Sequence, residues 1–137
     1  MANVTSIQTL QDGPRNVIIK ATGILDTSDV SLATLVDPAL LSTLDGQSTG
    51  PLPTRLIIDK ISYNVESALA VNLYWDATSD VLITSLVSSG DEVDAKSSGG
   101  IYNTEAAGVT GKILYSTTGW SGGAVLSYTV VLECRKR

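Results

Sequence analysis

A chain of 137 residues with 43% apolar side chains, no Phe, two Trp and five Tyr fits one domain with an aliphatic core, long enough to bury roughly two-thirds of the surface its unfolded form exposes. The formal net charge of −5 argues against a phosphate-neutralising surface and hence against a nucleic-acid partner, and a single Cys excludes an internal disulfide. The absence of His removes the usual base of serine and cysteine triads and the commonest ligand of zinc and iron sites.

In chain order, VTSIQTL and RNVIIKATGIL read as two short strands separated by QDGP, where Asp12, Gly13 and Pro14 supply turn geometry. In the second strand Val17, Ile19, Ala21 and Leu25 fall on one face and Asn16, Ile18, Lys20 and Thr22 on the other, so the first set should face the core. SLATLV is a further strand candidate. In PALLSTL, Pro38 occupies a helix-starting position and Leu40, Leu41 and Leu44 have helical spacing, which predicts one short helix over 38–44. Asp45 to Pro53, DGQSTGPLP, has loop composition.

From Thr54 the pattern sharpens. Ile57, Ile61, Tyr63 and Val65 alternate in one run, and Val71, Leu73 and Trp75 in the next. Glu66 to Ala68 reads as a tight hairpin connection and DATSD, Asp76 to Asp80, as the turn before VLITSLV, which predicts three successive antiparallel strands. SSGDEVDAKSSGG, Ser88 to Gly100, has no periodicity and reads as a polar loop; IYNTEAAGV reads as a short strand or turn. TGKILYSTTG and GGAVLSYTVVLEC return to strand character, with Ala124, Leu126, Tyr128, Val130 and Leu132 on one face, and the terminal RKR is expected to fray or to touch a partner. The sum is an all-β fold: residues 1–137 as a single-domain antiparallel β-sandwich of roughly seven to nine strands, Greek-key or jelly-roll-like.

Little in this pattern carries chemistry. Cys134 alternates into the face of Tyr128, Val130 and Leu132, as a buried inert thiol would. Asp76 and Asp80 bracket a turn, and Asp91, Glu92 and Asp94 cluster without the ligand spacing of a calcium loop, so turn-forming and solvation roles are expected and no metal. GWSGG lacks the Lys and the following helix of a phosphate loop and reads as a hairpin turn. No catalytic residue, cofactor site or enzymatic activity is expected. The opening MANVTSIQ has no basic segment followed by an apolar core, and no apolar run reaches the ~20 residues that span a bilayer, so a chain neither exported by the usual signal nor held in a membrane is expected, made in a reducing cytoplasm. The sequon at Asn3 would matter only on a secreted chain. Trp75 should point into the core with Asp76 starting a turn, whereas Trp120, in a loop beside glycines, either anchors a partner or packs on its own hairpin.

The segments WDATSDVLITSL, GGIYN, GVTGKILYSTTG and YTVVLECRK, within Thr54 to Lys136, together with the opening SIQTLQDGPRNVIIKATG, resemble a group of small virion structural proteins of tailed bacteriophages. Within that group the resemblance is to capsid cement, or decoration, proteins. It implies a non-enzymatic β domain on the outer surface of the head, often a homotrimer, that clamps neighbouring major capsid protein subunits after synthesis in the host cytoplasm. Trp120, Tyr102, Arg135 and Lys136 are the residues expected to contact a partner. Two other readings stand beside it: a tail or head-tail joining protein, and a carbohydrate-binding β-sandwich with Trp120 and Tyr102 on its sugar platform.

Overall fold

The computed structural model describes residues 3–44, 50–87, 91–102 and 108–136, with the backbone alone at Asp91. Among the described residues nine strands carry the fold: β1 (Val4–Asp12), β2 (Asn16–Leu25), β3 (Ala33–Val36), β4 (Leu56–Val65), β5 (Ala70–Trp75), β6 (Val81–Val87), β7 (Asp91–Asp94), β8 (Ile113–Thr118) and β9 (Leu126–Lys136). They form an antiparallel five-stranded sheet in the order β1-β2-β9-β4-β7 and an antiparallel four-stranded sheet in the order β3-β8-β5-β6. Strands β2-β9-β4-β7 over β3-β8-β5-β6 follow the eight-strand order of a jelly roll, with β1 added outside β2. The fold class expected from the sequence is the one observed.

Alternation explains the core. Val17, Ile19, Ala21 and Leu25 of β2 and Tyr128, Val130, Leu132 and Cys134 of β9 all point inward, against Val71, Leu73 and Trp75 of β5 and Ile113 and Tyr115 of β8. In these four strands the inward set is the one that period-2 apolar spacing gives, and Trp75 closes the core at the end of β5 with 3% exposure. Asp76 follows it into the turn, its backbone N–H donating to Lys112 O at 3.1 Å and its carboxylate accepting from the Thr110 hydroxyl.

Other expectations are corrected in detail. The short helix expected over 38–44 is a single 3-10 turn, Pro38–Leu40, capped by the Asp37 carboxylate on Ala39 N–H. Beyond it the chain is extended, so Leu41 drops into the core while Leu40 is 82% exposed; tertiary burial overrides the helical spacing. The part of the next loop at 45–49 lies outside the described residues.

The β4 pattern contains a bulge. Ile58 faces Cys134 and Lys60 faces Glu133, leaving Asp59 as the extra residue. Ile61 and Val65 point inward as read, but Ile58 takes the next core position, and Ile57 lies on the opposite face, next to Arg135. One inserted residue reverses the facing of everything before it.

Glu66 to Ala68 is no hairpin. β4 pairs with β9 and β7, and β5 pairs with β6 and β8, so this connection carries the chain from one sheet to the other. GWSGG does the same between β8 and β9, with a turn closed by Ala124 N–H to Ser121 O at 3.1 Å. Of the three successive antiparallel strands expected, only β5 and β6 pair, across the DATSD turn, where Asp80 accepts from Ala77 N–H.

The polar stretch after residue 87 also holds structure: β7 pairs with β4 from Lys60–Asp94 to Tyr63–Asp91, and a 3-10 turn follows at Lys96–Ser98. Within β7 only Val93 is apolar, too little for a periodicity argument; the exposed Glu92 and Asp94 suit a sheet edge that faces water. Residues 88–90 and 103–107, the latter within IYNTEAAGV, lie outside the described residues, and Ile101 makes an isolated bridge to Ile58. The C-terminus does not fray through Lys136, because β9 stays laddered to β2 up to Arg135 and to β4 up to Lys136, whose N–H donates to Arg15 O at 2.7 Å.

Candidate interaction surfaces

The strand order sends the longest connections, those after β3 and after β7, to one end of the sandwich, where β4 and β8 begin and β9 ends. Arg135 is the organising side chain there. It sits on the outer face of β9 opposite Ile57, and the β4 bulge brings Asp59 within reach: Nε of Arg135 donates to both carboxylate oxygens of Asp59 at 2.9 Å, and Nη2 donates to Gly99 O at 2.6 Å. The bond to Asp59 raises the guanidinium above its ordinary pKa, with a hydrogen bond to Tyr102 adding to it.

The segment that follows β7 is thereby folded over the outside of β4. Ala95 N–H donates to Asp59 O at 2.8 Å, and Ile58 and Ile101 exchange backbone bonds of 3.1 and 2.7 Å. Gly100 makes the crossing feasible: its φ is +93°, and a Cβ there would meet Ile57 and come within 3.0 Å of Arg135 Nη2 and 3.1 Å of Asp59 Oδ1. Tyr102 is left 47% exposed at the rim of a cavity of about 70 Å³ lined by Arg55, Leu56, Ile57, Trp75, Val109 and Gly111. So Tyr102 and Arg135, chosen separately from the sequence, share one site.

Lys136 does not join them. As the next residue of β9 it points to the opposite face, is only 7% exposed, and its Nζ donates to the Asp12 carboxylate and to Ser42 O at 3.1 Å. Ser42 N–H donates to the same carboxylate at 2.9 Å. Burial acts to raise the Asp12 pKa, but the bonds from Lys136 and Ser42 outweigh it and leave it below the ordinary value. Lys136 is an internal tie that closes the base of the core.

Trp120 lies at the other end, with the length of β9, about 30 Å, between. Its indole N–H donates to Ala124 O at 2.9 Å and its backbone N–H to Asp29 Oδ1 at 3.1 Å, and the ring packs partly buried on the core cluster. Of the two readings of this residue, packing on its own turn is the one realised within the chain. Trp120 and Tyr102 stand too far apart to build one sugar platform.

Cys134 is 2% exposed, and burial, then the nearby Asp59 and Glu133 carboxylates, push its thiol up to about 12. Native protein should therefore resist alkylation at mildly alkaline pH and react fully once unfolded in urea, as mass spectrometry of iodoacetamide-treated samples would read. Rapid labelling of the folded protein would contradict this burial. Among the described residues there is no group of three or more His, Cys, Asp or Glu able to hold a metal ion, and no helix is long and apolar enough to cross a membrane.

One surface escaped the sequence reading. The β1 side chains are exposed on both faces from Val4 to Gln11, including Val4 at 58%, Ile7 at 44% and Leu10 at 54%. The signal was visible: the apolar residues of VTSIQTL recur every third position, a spacing that supplies no single core face. No protein-family model matches this chain, and no curated protein matches it at a significant level.

Proposed function

We propose that the protein is a non-enzymatic structural component of a tailed-bacteriophage virion: a cement protein that binds the outside of the head and stabilises the major capsid lattice. The observation that carries the reading is the loop-rich end of a rigid jelly roll, where the Arg135–Asp59–Gly99 clamp fixes a loop across the sheet and leaves Tyr102 exposed beside it. A preorganised surface of this kind binds without losing much loop entropy, and an exposed aromatic next to an Arg is a typical interface anchor. The charged groups around it hold the fold together, as suits a clamp.

The mechanism is linkage. A protein that binds the assembled lattice and not its separated subunits stabilises the lattice by mass action, and many copies around one shell add their contributions. The test is co-sedimentation with purified heads that lack this chain, followed by heating. Saturable binding that raises the temperature of head disruption, weakened at least tenfold by Tyr102→Ala, is expected; a chain that stays in the supernatant at every concentration would reject the reading.

A further inference from the structure

β1 is an unusual edge. It is the outermost strand of the five-stranded sheet, hydrogen-bonded to β2 on one side, and it overhangs a second sheet of four strands. Edges of this length are ordinarily guarded by charge, Pro, brevity or a bulge, and β1 has only the last of these, near its end. The opposite edge, β7, is four residues long and carries Asp91, Glu92 and Asp94, whereas β1 runs for nine residues with no charged side chain from Val4 to Gln11. Its one irregularity is a bulge at Leu10.

Both ends of the strand are pinned to its own fold, so it does not behave as a loose arm. At the start, Asn3 Oδ1 accepts from Asp26 N–H at 2.7 Å and Thr27 N–H at 3.0 Å, and Asn3 Nδ2 donates to Ser28 O at 3.0 Å. At the finish, Asp12 is bound by Lys136. What remains is a preformed template for one more antiparallel strand.

The sequence of the strand identifies its occupant. VTSIQTL reads the same in chemical type from either end about Ile7: Val4 matches Leu10, Thr5 matches Thr9 and Ser6 matches Gln8. An antiparallel pair of two such strands, crossed by a twofold axis at Ile7, sets each side chain opposite its own kind. Val4 meets Leu10 of the second copy, Thr5 meets Thr9, and Ile7 meets itself. Apolar and Thr–Thr cross-strand pairs are favourable combinations, and no like charges meet. The three exposed apolar side chains of β1, Val4, Ile7 and Leu10, are the ones this register covers.

We infer that two copies of this chain associate through β1, antiparallel about a twofold axis at Ile7, so that their five-stranded sheets join into one continuous sheet. A threefold assembly, which the phage resemblance implies, requires a head-to-tail contact between two different patches; a strand complementary to itself is suited to the twofold one. The contact stands apart from the cement reading, since it concerns the free protein.

Sedimentation equilibrium of the full chain tests it. The expected mass is twice that of the chain, falling to the monomer with dilution. Ile7→Lys, which sets two ammonium groups face to face at the axis, should weaken association at least tenfold while leaving thermal unfolding unchanged at a dilution where both proteins are monomeric. Two double variants then test the register. With Ser6→Lys and Gln8→Glu together, each Lys faces a Glu of the other copy and the dimer should be retained; with Ser6→Glu and Gln8→Glu together, like charges meet and it should dissociate. A monomer at all concentrations, a trimer, a dimer indifferent to Ile7→Lys, or two double variants that behave alike would each overturn the inference.

Discussion

Asp12→Ala lowers the stability of the fold by about 3 kcal/mol, because it strands a buried ammonium group without its partner. The Lys136 side chain has no solvent exposure, and Asp12 and Ser42 O supply its acceptors. Removing the charge itself is a different experiment: Lys136→Met keeps the aliphatic volume, leaves Asp12 its bond from Ser42 N–H, and should cost less than about 1 kcal/mol. The pH dependence follows from the same contact. The folded-state pKa of Asp12 lies below its ordinary value of 3.8, so its contribution is fully present above 3.8 and is lost as the pH falls through the lower, folded value. Urea titrations of wild type and Asp12→Ala should therefore converge as the solution is acidified below 3.8. A gap that stays constant through that range would show that the loss does not come from the carboxylate's charge.

The distance of this pair along the chain, 124 residues, shows why part of the structure was hidden. Whatever rests on local period was legible: β2 and β9 alternate cleanly, and their inward residues, with Trp75, could be named in advance. Three other features have no local signature. A short polar connector between strands reads alike whether it turns within a sheet, as at 76–80, or crosses to the other sheet, as at 66–68. The bulge at Asp59 shows itself only through the pairing of β4 with β9, and it is the bulge that turns Ile57 outward and puts Asp59 beside Arg135. β7 belongs to the sheet by its backbone and by the Lys60–Glu92 pair at 3.3 Å, while offering one apolar side chain.

The same division runs through the interaction surface. Tyr102 and Arg135 could be chosen one at a time as an exposed aromatic and a terminal charge, but their meeting depends on the loop that Gly100 lets across β4. Lys136 was indistinguishable from Arg135 as a terminal cation until strand alternation was followed one residue further: consecutive residues of β9 face opposite sides, and only one of them faces water. The strand character of β1 is plain in its sequence, and its lack of a buried face leaves it, among the described strands, without a side chain in the monomer core.

Gly23→Val should destabilise the protein by about 3 kcal/mol, the upper end of overpacking costs. Gly23 lies mid-strand in β2, where Gly is otherwise a poor choice, directly opposite Tyr128 of β9. The Tyr128 ring lies over it: a Cβ on Gly23 would be 2.5 Å from Cε1 and Cζ and 2.6 Å from the hydroxyl oxygen. The ring has nowhere to retreat, being 2% exposed, with its hydroxyl donating to Tyr115 Oη at 3.3 Å and the two rings tilted at 60° with centroids 6.2 Å apart. Because Tyr128 belongs to the five-stranded sheet and Tyr115 to the four-stranded one, this contact joins the two layers across the core, and burial, helped by Tyr115, raises the Tyr128 hydroxyl pKa. Overlap with one ring can be told from a general intolerance of β2 by a double-mutant cycle: Tyr128→Leu shortens the side chain above residue 23, so Gly23→Val should cost far less in that background than alone. Urea midpoints for the four proteins give the coupling, and strictly additive losses would show that the glycine is required by something other than the tyrosine that covers it.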